Sequence, residues 1–133
     1  GTFTAAVHGI IQLILGFSNV MYCATIPAMI GCVLLDYLFA FTVLGLAGLF
    51  LPLFKNKLIG AAVGTAICGA LRFLFSFLSG WLLWGSYAPK GWSVAYYSLT
   101  YNGSYMLPNI IIGVIVILII GKTAPGFLFQ NKE

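Results

Sequence analysis

Apolar residues in this chain come in runs of about twenty, separated by short polar turns, and that pattern constrains the fold before any motif is read. Such a run is long enough to cross the hydrocarbon core of a bilayer. Inside lipid the backbone must satisfy its own hydrogen bonds, which leaves the α-helix as the structure each run can adopt. Composition agrees: 62% of residues are hydrophobic and 6% charged, against about 25% charged in an ordinary soluble domain. The sequence therefore reads as an all-α integral membrane protein. Its net charge of +4 comes from few residues, and they sit at helix ends. That distribution orients helices in a membrane and does not describe a nucleic-acid surface.

Four transmembrane helices are expected, at about 2–17, 27–54, 58–84 and 94–120, forming one membrane domain over 1–133. The loop Ser18–Ile26 carries no charge, and Lys90 alone marks the loop after the third helix. Lys55, Lys57 and Lys122 lie at the other ends of the helices. The positive-inside bias then puts the Lys55–Lys57 turn and the C-terminus in the cytoplasm and the Ser18–Ile26 and Gly85–Ser93 loops outside. The tail from Pro125 to Glu133 reads as short and interfacial. The first residue is Gly1, in what already looks like a helix too short for a comfortable span, so the sequence reads as N-terminally truncated. Gly60, Gly64 and Cys68, four apart, are expected to let backbones approach closely. Cys23, Cys32 and Cys68 follow no metal or disulfide spacing and read as small apolar residues.

Against this background the stretch Ser79–Asn109 stands out. It holds Trp81, Trp84 and Trp92 and the tyrosines 87, 96, 97, 101 and 105. Indole and phenol rings collect at membrane interfaces or around a bound organic ligand. Tyr87 and Trp92 read as an interfacial belt, while Trp84 is placed to stack on an aromatic cation. Asp36 is the one acid within the apolar helices, and a carboxylate there must be paired or face a wet cavity. It reads as a counter-charge for a cationic ligand or a proton site, the alternative being an ion pair with Arg72. Ser76 and Ser79 share a helix face with Arg72, extended by Thr65, as either an interhelical seam or, for Ser76, a ligand contact. A second polar stripe joins Ser98, Asn102, Tyr105 and Asn109. Tyr97 lies well around an ideal helix from Asn102, so both reach one ligand only if Tyr97 sits at an irregular helix start. His8 reads as a packing residue. Phosphate loops, nucleophile elbows, zinc motifs and paired carboxylates are absent, so the chain is not expected to be an enzyme or to hold a metal or cofactor.

The run Arg72-Phe73 … Phe77-Leu78-Ser79-Gly80 … Trp84-Gly85-Ser86-Tyr87-Ala88-Pro89-Lys90-Gly91 … Tyr97-Ser98-Leu99 … Tyr101-Asn102-Gly103 resembles the thiamin-specific S component of energy-coupling-factor (ECF) vitamin transporters. The stretches Gly9–Gly16, Leu35-Asp36-Tyr37 and Leu44–Phe50 agree with it, so the resemblance covers nearly the whole chain. It implies a six-helix fold of which these would be the last four helices. It implies capture of thiamin, or of a related pyrimidine or thiazole compound, from outside a bacterial plasma membrane. Delivery would require an ECF coupling membrane protein and two ATPase subunits. The ligand-binding positions it implies are Asp36, Tyr37, Ser76, Trp84, Tyr97 and Asn102. Two depart from the family pattern, since glutamate usually stands at Asp36 and histidine at Ser76. The rival functional classes are a four-helix proton-coupled antiporter for lipophilic cations and a helical scaffold that binds nothing. The antiporter carries its acid in the first helix, whereas Asp36 falls in the second.

Overall fold

A computed structural model describes residues 1–129. The chain forms six helices among those residues, and each start has a local cause. α1 (Thr2–Leu15) stops at Gly16, and a second short helix, α2 (Phe17–Met21), follows at once. Thr25 caps α3 (Ile26–Leu53), its hydroxyl accepting from the Ala28 amide at 3.3 Å, with Pro27 in the first turn where a missing N–H costs nothing. Asn56 caps α4 (Lys57–Leu83), accepting from the Leu58 amide at 2.9 Å. A 3-10 turn at Gly85–Tyr87 and a reversal at Gly91, whose φ of +88° suits glycine alone, lead to α5 (Val94–Thr123). Ser93 caps α5, and the short α6 (Pro125–Leu128) closes the described chain.

The four expected apolar helices are present. α3, α4 and α5 have the length and apolar character to cross a membrane, and α1 is a shorter apolar helix of 14 residues, a rise of about 21 Å against a hydrocarbon core of about 30 Å. One expectation is corrected. The segment 18–26, expected as a loop, begins inside α2, because Gly16 interrupts the helix without turning the chain away from it. The expected tail falls partly on α6; residues 130–133 lie outside the described residues.

α3 is not uniform. It runs α-helical to Cys32, widens to a π-helical stretch over Val33–Phe39, returns to α for Ala40–Thr42 and tightens to 3-10 over Val43–Leu53. Widened turns of this kind recur at functional sites because they re-aim side chains. Asp36 and Tyr37 lie within the widened turn, where Asp36 bonds toward α4 and Tyr37 toward Gly16 beyond α1.

The helices α1, α3, α4 and α5 pack side by side in that order. α4 is the central plank, in contact with α3 on one edge and α5 on the other. Small residues make the contacts close, as their four-residue spacing implied: Gly60, Gly64 and Cys68 are all buried. A Cβ on Gly60 would stand 2.8 Å from the Phe50 carbonyl oxygen, and one on Gly64 would collide with that of Ala47. Across the other edge, a Cβ on Gly69 would stand 2.7 Å from Ile110. Outward-facing Ile111, Ile115, Ile119 and Leu82 are exposed, as lipid-facing residues are. Because lipid tails are as apolar as these side chains, contact between α3 and α4 rests on van der Waals fit.

Gly64→Val should therefore destabilise the detergent-purified protein by about 1–3 kcal/mol, because the obstructing atoms belong to backbone and cannot rotate away. Gly48, on the same stretch of α3, has no atom within 4 Å of an added Cβ. Gly48→Ala should leave the thermal midpoint unchanged or raise it slightly.

Candidate ligand-binding site

α5 packs chiefly on α4 and makes no extensive contact with α3. A cleft therefore opens between α3 and α5 with α4 as its floor. It encloses a cavity of about 480 Å³, within the range of small-molecule sites. Asp36, Tyr37 and Phe41 line it from α3, Arg72, Ser76, Gly80 and Trp84 from α4, and Tyr97, Tyr101, Asn102 and Tyr105 from α5. Asn19, Tyr22 and Tyr87 also line it, from the segments at one end of the helices. All six residues singled out from the sequence lie on this one cavity.

The carboxylate is held from α4 and from its own helix. Ser79 Oγ–H donates to Asp36 Oδ2 at 2.5 Å, and the Cys32 thiol donates to the same oxygen at 3.5 Å. Arg72 is not its partner. The Arg72 guanidinium carbon lies 4.4 Å from the centre of the Phe41 ring, a cation–π contact, and its Nε is buried with no hydrogen-bond partner. The ion-pair alternative for Asp36 is thus not the arrangement found. Tyr37 is buried, and its hydroxyl donates to the Gly16 carbonyl at 3.0 Å, tying α3 to the α1–α2 break.

Between α4 and α5 hydrogen bonds join Asn102, Ser98 and Tyr105 to their neighbours. Asn102 Nδ2 donates to the Ser76 carbonyl at 3.2 Å and to the Ser98 carbonyl at 3.0 Å, while its Oδ1 accepts from the Tyr105 hydroxyl at 2.8 Å. Ser98 Oγ donates to the Phe77 carbonyl at 2.7 Å. The second polar stripe accordingly faces protein at Ser98, Asn102 and Tyr105, but Asn109 is exposed. Thr65 does not extend the first stripe across to a neighbour, since its hydroxyl bonds back to Ala61 in its own helix.

Two aromatic expectations change. Tyr97 and Asn102 share the cavity although α5 begins regularly at Val94, because the long phenol reaches around the helix. Tyr87, expected in the interfacial belt, lines the cavity with its ring 5.6 Å from that of Trp84. Trp92 packs on Tyr96 at 4.9 Å, away from the cavity. His8 packs edge-on against Phe41 at 5.2 Å. Sequence reasoning had not singled out Tyr101 for the site and had placed Tyr105 only in a polar stripe. Their four-residue spacing from Tyr97, which builds a ladder of rings 5.9 and 5.8 Å apart, was the available signal. Asn19 and Tyr22 gave none.

These features define a helical membrane protein with an aromatic cavity built around one carboxylate, a class that takes up small organic molecules. The comparisons with known proteins agree. Residues 1–129 match the family described as thiamine transporter protein (Thia_YuaJ). The chain is 37% identical over 141 residues to a Bacillus subtilis protein named thiamine transporter ThiT, covering 99% of this chain and 70% of that one. It is 34% identical over 109 residues to a protein of the same name from Lacticaseibacillus paracasei, covering 75% of this chain and 54% of that one. A solved structure of ThiT from Listeria monocytogenes superposes with a TM-score of 0.68 at 26% identity, covering 94% of this chain and 72% of that one. The chain belongs to the thiamine transporter protein family. It is a membrane transport protein with the S-component fold and not an enzyme, and nothing in the fold or the comparisons favours the antiporter.

Gly80 is where α4 and α5 approach at the cavity. An added Cβ would collide with Ser98 Oγ and stand 3.2 Å from Asn102 Nδ2. Gly80→Ala should break the bond from Ser98 to Phe77 or displace the Asn102 amide. A cost of about 1–3 kcal/mol in thermal stability, together with loss of ligand affinity, is the expected outcome.

Proposed function

We propose that this chain is the substrate-capturing subunit of an ECF-type vitamin transporter and binds thiamin in the cavity between α3 and α5. What carries the reading is convergence. Asp36, Trp84, Tyr97 and Asn102, from three different helices, line one space of small-molecule size, in a chain 37% identical to a protein named thiamine transporter. The chemistry suits the ligand. A thiazolium ring is a cation that aromatic faces attract, and Trp84 with the tyrosines supplies those faces. An aminopyrimidine offers N–H donors, and Asp36 is the acceptor that can meet them with a charge-assisted bond. Asn102 and Ser76 add polar contacts on the α4–α5 side. Tyr37 contributes to the wall while bonding to Gly16, so its part in binding is through shape.

The cavity lies toward the Lys90 end, and Lys55, Lys57 and Lys122 lie at the other end of the helices. The positive-inside bias supports an outward-facing cavity, a cytoplasmic C-terminus and residence in a bacterial plasma membrane. The whole chain acts as one membrane domain. Release into the cell would belong to a partner module, a coupling membrane protein and two ATPases, as the resemblance to ECF S components implies.

Tryptophan fluorescence tests this directly. In a Trp81→Phe/Trp92→Phe background, thiamin should quench the remaining Trp84 in the nanomolar to low-micromolar range. Asp36→Asn removes the charge from the amine's acceptor and should weaken binding about 10- to 100-fold, the range set by about 1.5–3 kcal/mol for a charged hydrogen bond. Quenching by a hydroxymethylpyrimidine but not by thiamin would move the substrate; a response to lipophilic cations alone would overturn the reading.

A further inference from the structure

Ser79 is fully buried, with 0% of its surface exposed. It lies beside Gly80 on α4, close to the cavity without being among the residues that line it. Its hydroxyl donates to Asp36 Oδ2 across 43 residues of sequence, at 2.5 Å, on the short side even for a bond between a hydroxyl and a carboxylate. The Cys32 thiol approaches the same oxygen from one turn earlier on α3. Neither donor reaches Oδ1. Both donors meet one oxygen, which restrains the carboxyl group, while the Trp84 side chain on the cavity wall is a further hydrogen-bonding neighbour of the same carboxylate. A carboxylate on a short aspartate stem has two soft torsions, and the bond from Ser79, which is not on the cavity wall, restrains them together with Cys32.

We infer that Ser79 is a positioning residue for ligand capture, holding Asp36 by one oxygen so that the second is presented to the donor group of the substrate. The inference rests on the capture reading above. Its logic is geometric: the ligand then finds an acceptor already oriented and does not expend affinity on ordering it. The same hydrogen bond also joins α3 to α4, so a purely structural role must be separated from a positioning one. Side-chain length provides the separation. Asp36→Glu keeps the charge but shifts the carboxyl by one methylene from the position in which Ser79 donates to it now.

The experiment is a double-mutant cycle read by calorimetric titration of the detergent-purified full chain with thiamin. Ser79→Ala should weaken binding about tenfold or more when Asp36 is present, and less than about threefold when combined with Asp36→Glu. Ser79→Cys, a similar-sized but weaker donor, should fall between serine and alanine and guards against loss of the fold. Thermal midpoints of the unliganded variants accompany each titration. Equal losses in both backgrounds, or a loss that tracks the unliganded midpoint, would overturn the inference while leaving thiamin capture intact. Failure of the unmutated protein to bind thiamin would instead remove the capture reading, and the assignment of Ser79 with it.

Discussion

A carboxylate at membrane depth is costly wherever it is not solvated or bonded, and the Asp36–Ser79 hydrogen bond is how this fold accommodates one. The bond runs between α3 and α4 and fixes their relative rotation at the level of the cavity. Farther along, the register is set by Gly60 and Gly64 lying against the backbone of Phe50 and Ala47. One end of the α3–α4 interface is thus held by a polar tie and the other by close packing. That combination suits a binding protein, since the polar end must remain accessible while the packed end supplies rigidity. The widened turn of α3 belongs to the same arrangement: it lets consecutive residues, Asp36 and Tyr37, bond in different directions, to α4 and to Gly16.

The α4–α5 edge is built differently. There, backbone carbonyls of α4, those of Ser76 and Phe77, accept from Asn102 and Ser98 on α5. A carbonyl has a second lone pair that can accept beside its helical bond, and Gly80 lacks the Cβ that would meet Ser98 and Asn102 on that approach. Asn102 is then constrained on both sides of its amide, with Tyr105 holding the oxygen. Its orientation is settled by protein, so a ligand meets a fixed polar edge there as well. The tyrosine ladder along α5 contrasts with this. Tyr101 is more than half exposed and is held by edge-on and tilted contacts with Tyr105 and Tyr97, whereas Tyr105 is also tied by its hydroxyl to Asn102, so Tyr101 is the adaptable part of that wall.

How much of this was legible in the sequence depended on the kind of signal. The three long helices were, because runs of about twenty apolar residues separated by Asn56 and by Gly85–Ser93 admit one secondary structure in lipid. Asp36, Trp84 and Asn102 were legible as chemistry, each being a residue type that membrane interiors rarely tolerate without cause. What was not legible was pairing. Asp36 could equally have met Arg72, two residues of opposite charge in adjacent helices. It meets Ser79 instead, because seven residues, about two helical turns, separate Arg72 from Ser79 along α4, and only the register set by the glycines decides which stands opposite. The short α2 was hidden because Gly16 interrupts one helix and caps another, and glycine signals both. Asn19 and Tyr22 follow from that missed turn.

Arg72 shows what the register leaves behind. Its guanidinium lies on the Phe41 face, and its Nε is buried without an acceptor. A cation–π contact returns part of what desolvation takes away, about 2 kcal/mol at best, and leaves in-plane donors unmet. Asp36 and Arg72 therefore face one cavity as separate, oppositely charged groups, each held by a neighbour of another kind. Had they paired, their fields would have cancelled at contact distance and the cavity would have been electrically dull. Kept apart, they give it a polarity, with an acceptor fixed at the Ser79 side and a cation resting on Phe41. A ligand that enters must match that direction, so the separation enforced by a hydroxyl, a thiol and a ring contributes to selectivity before any single contact is made.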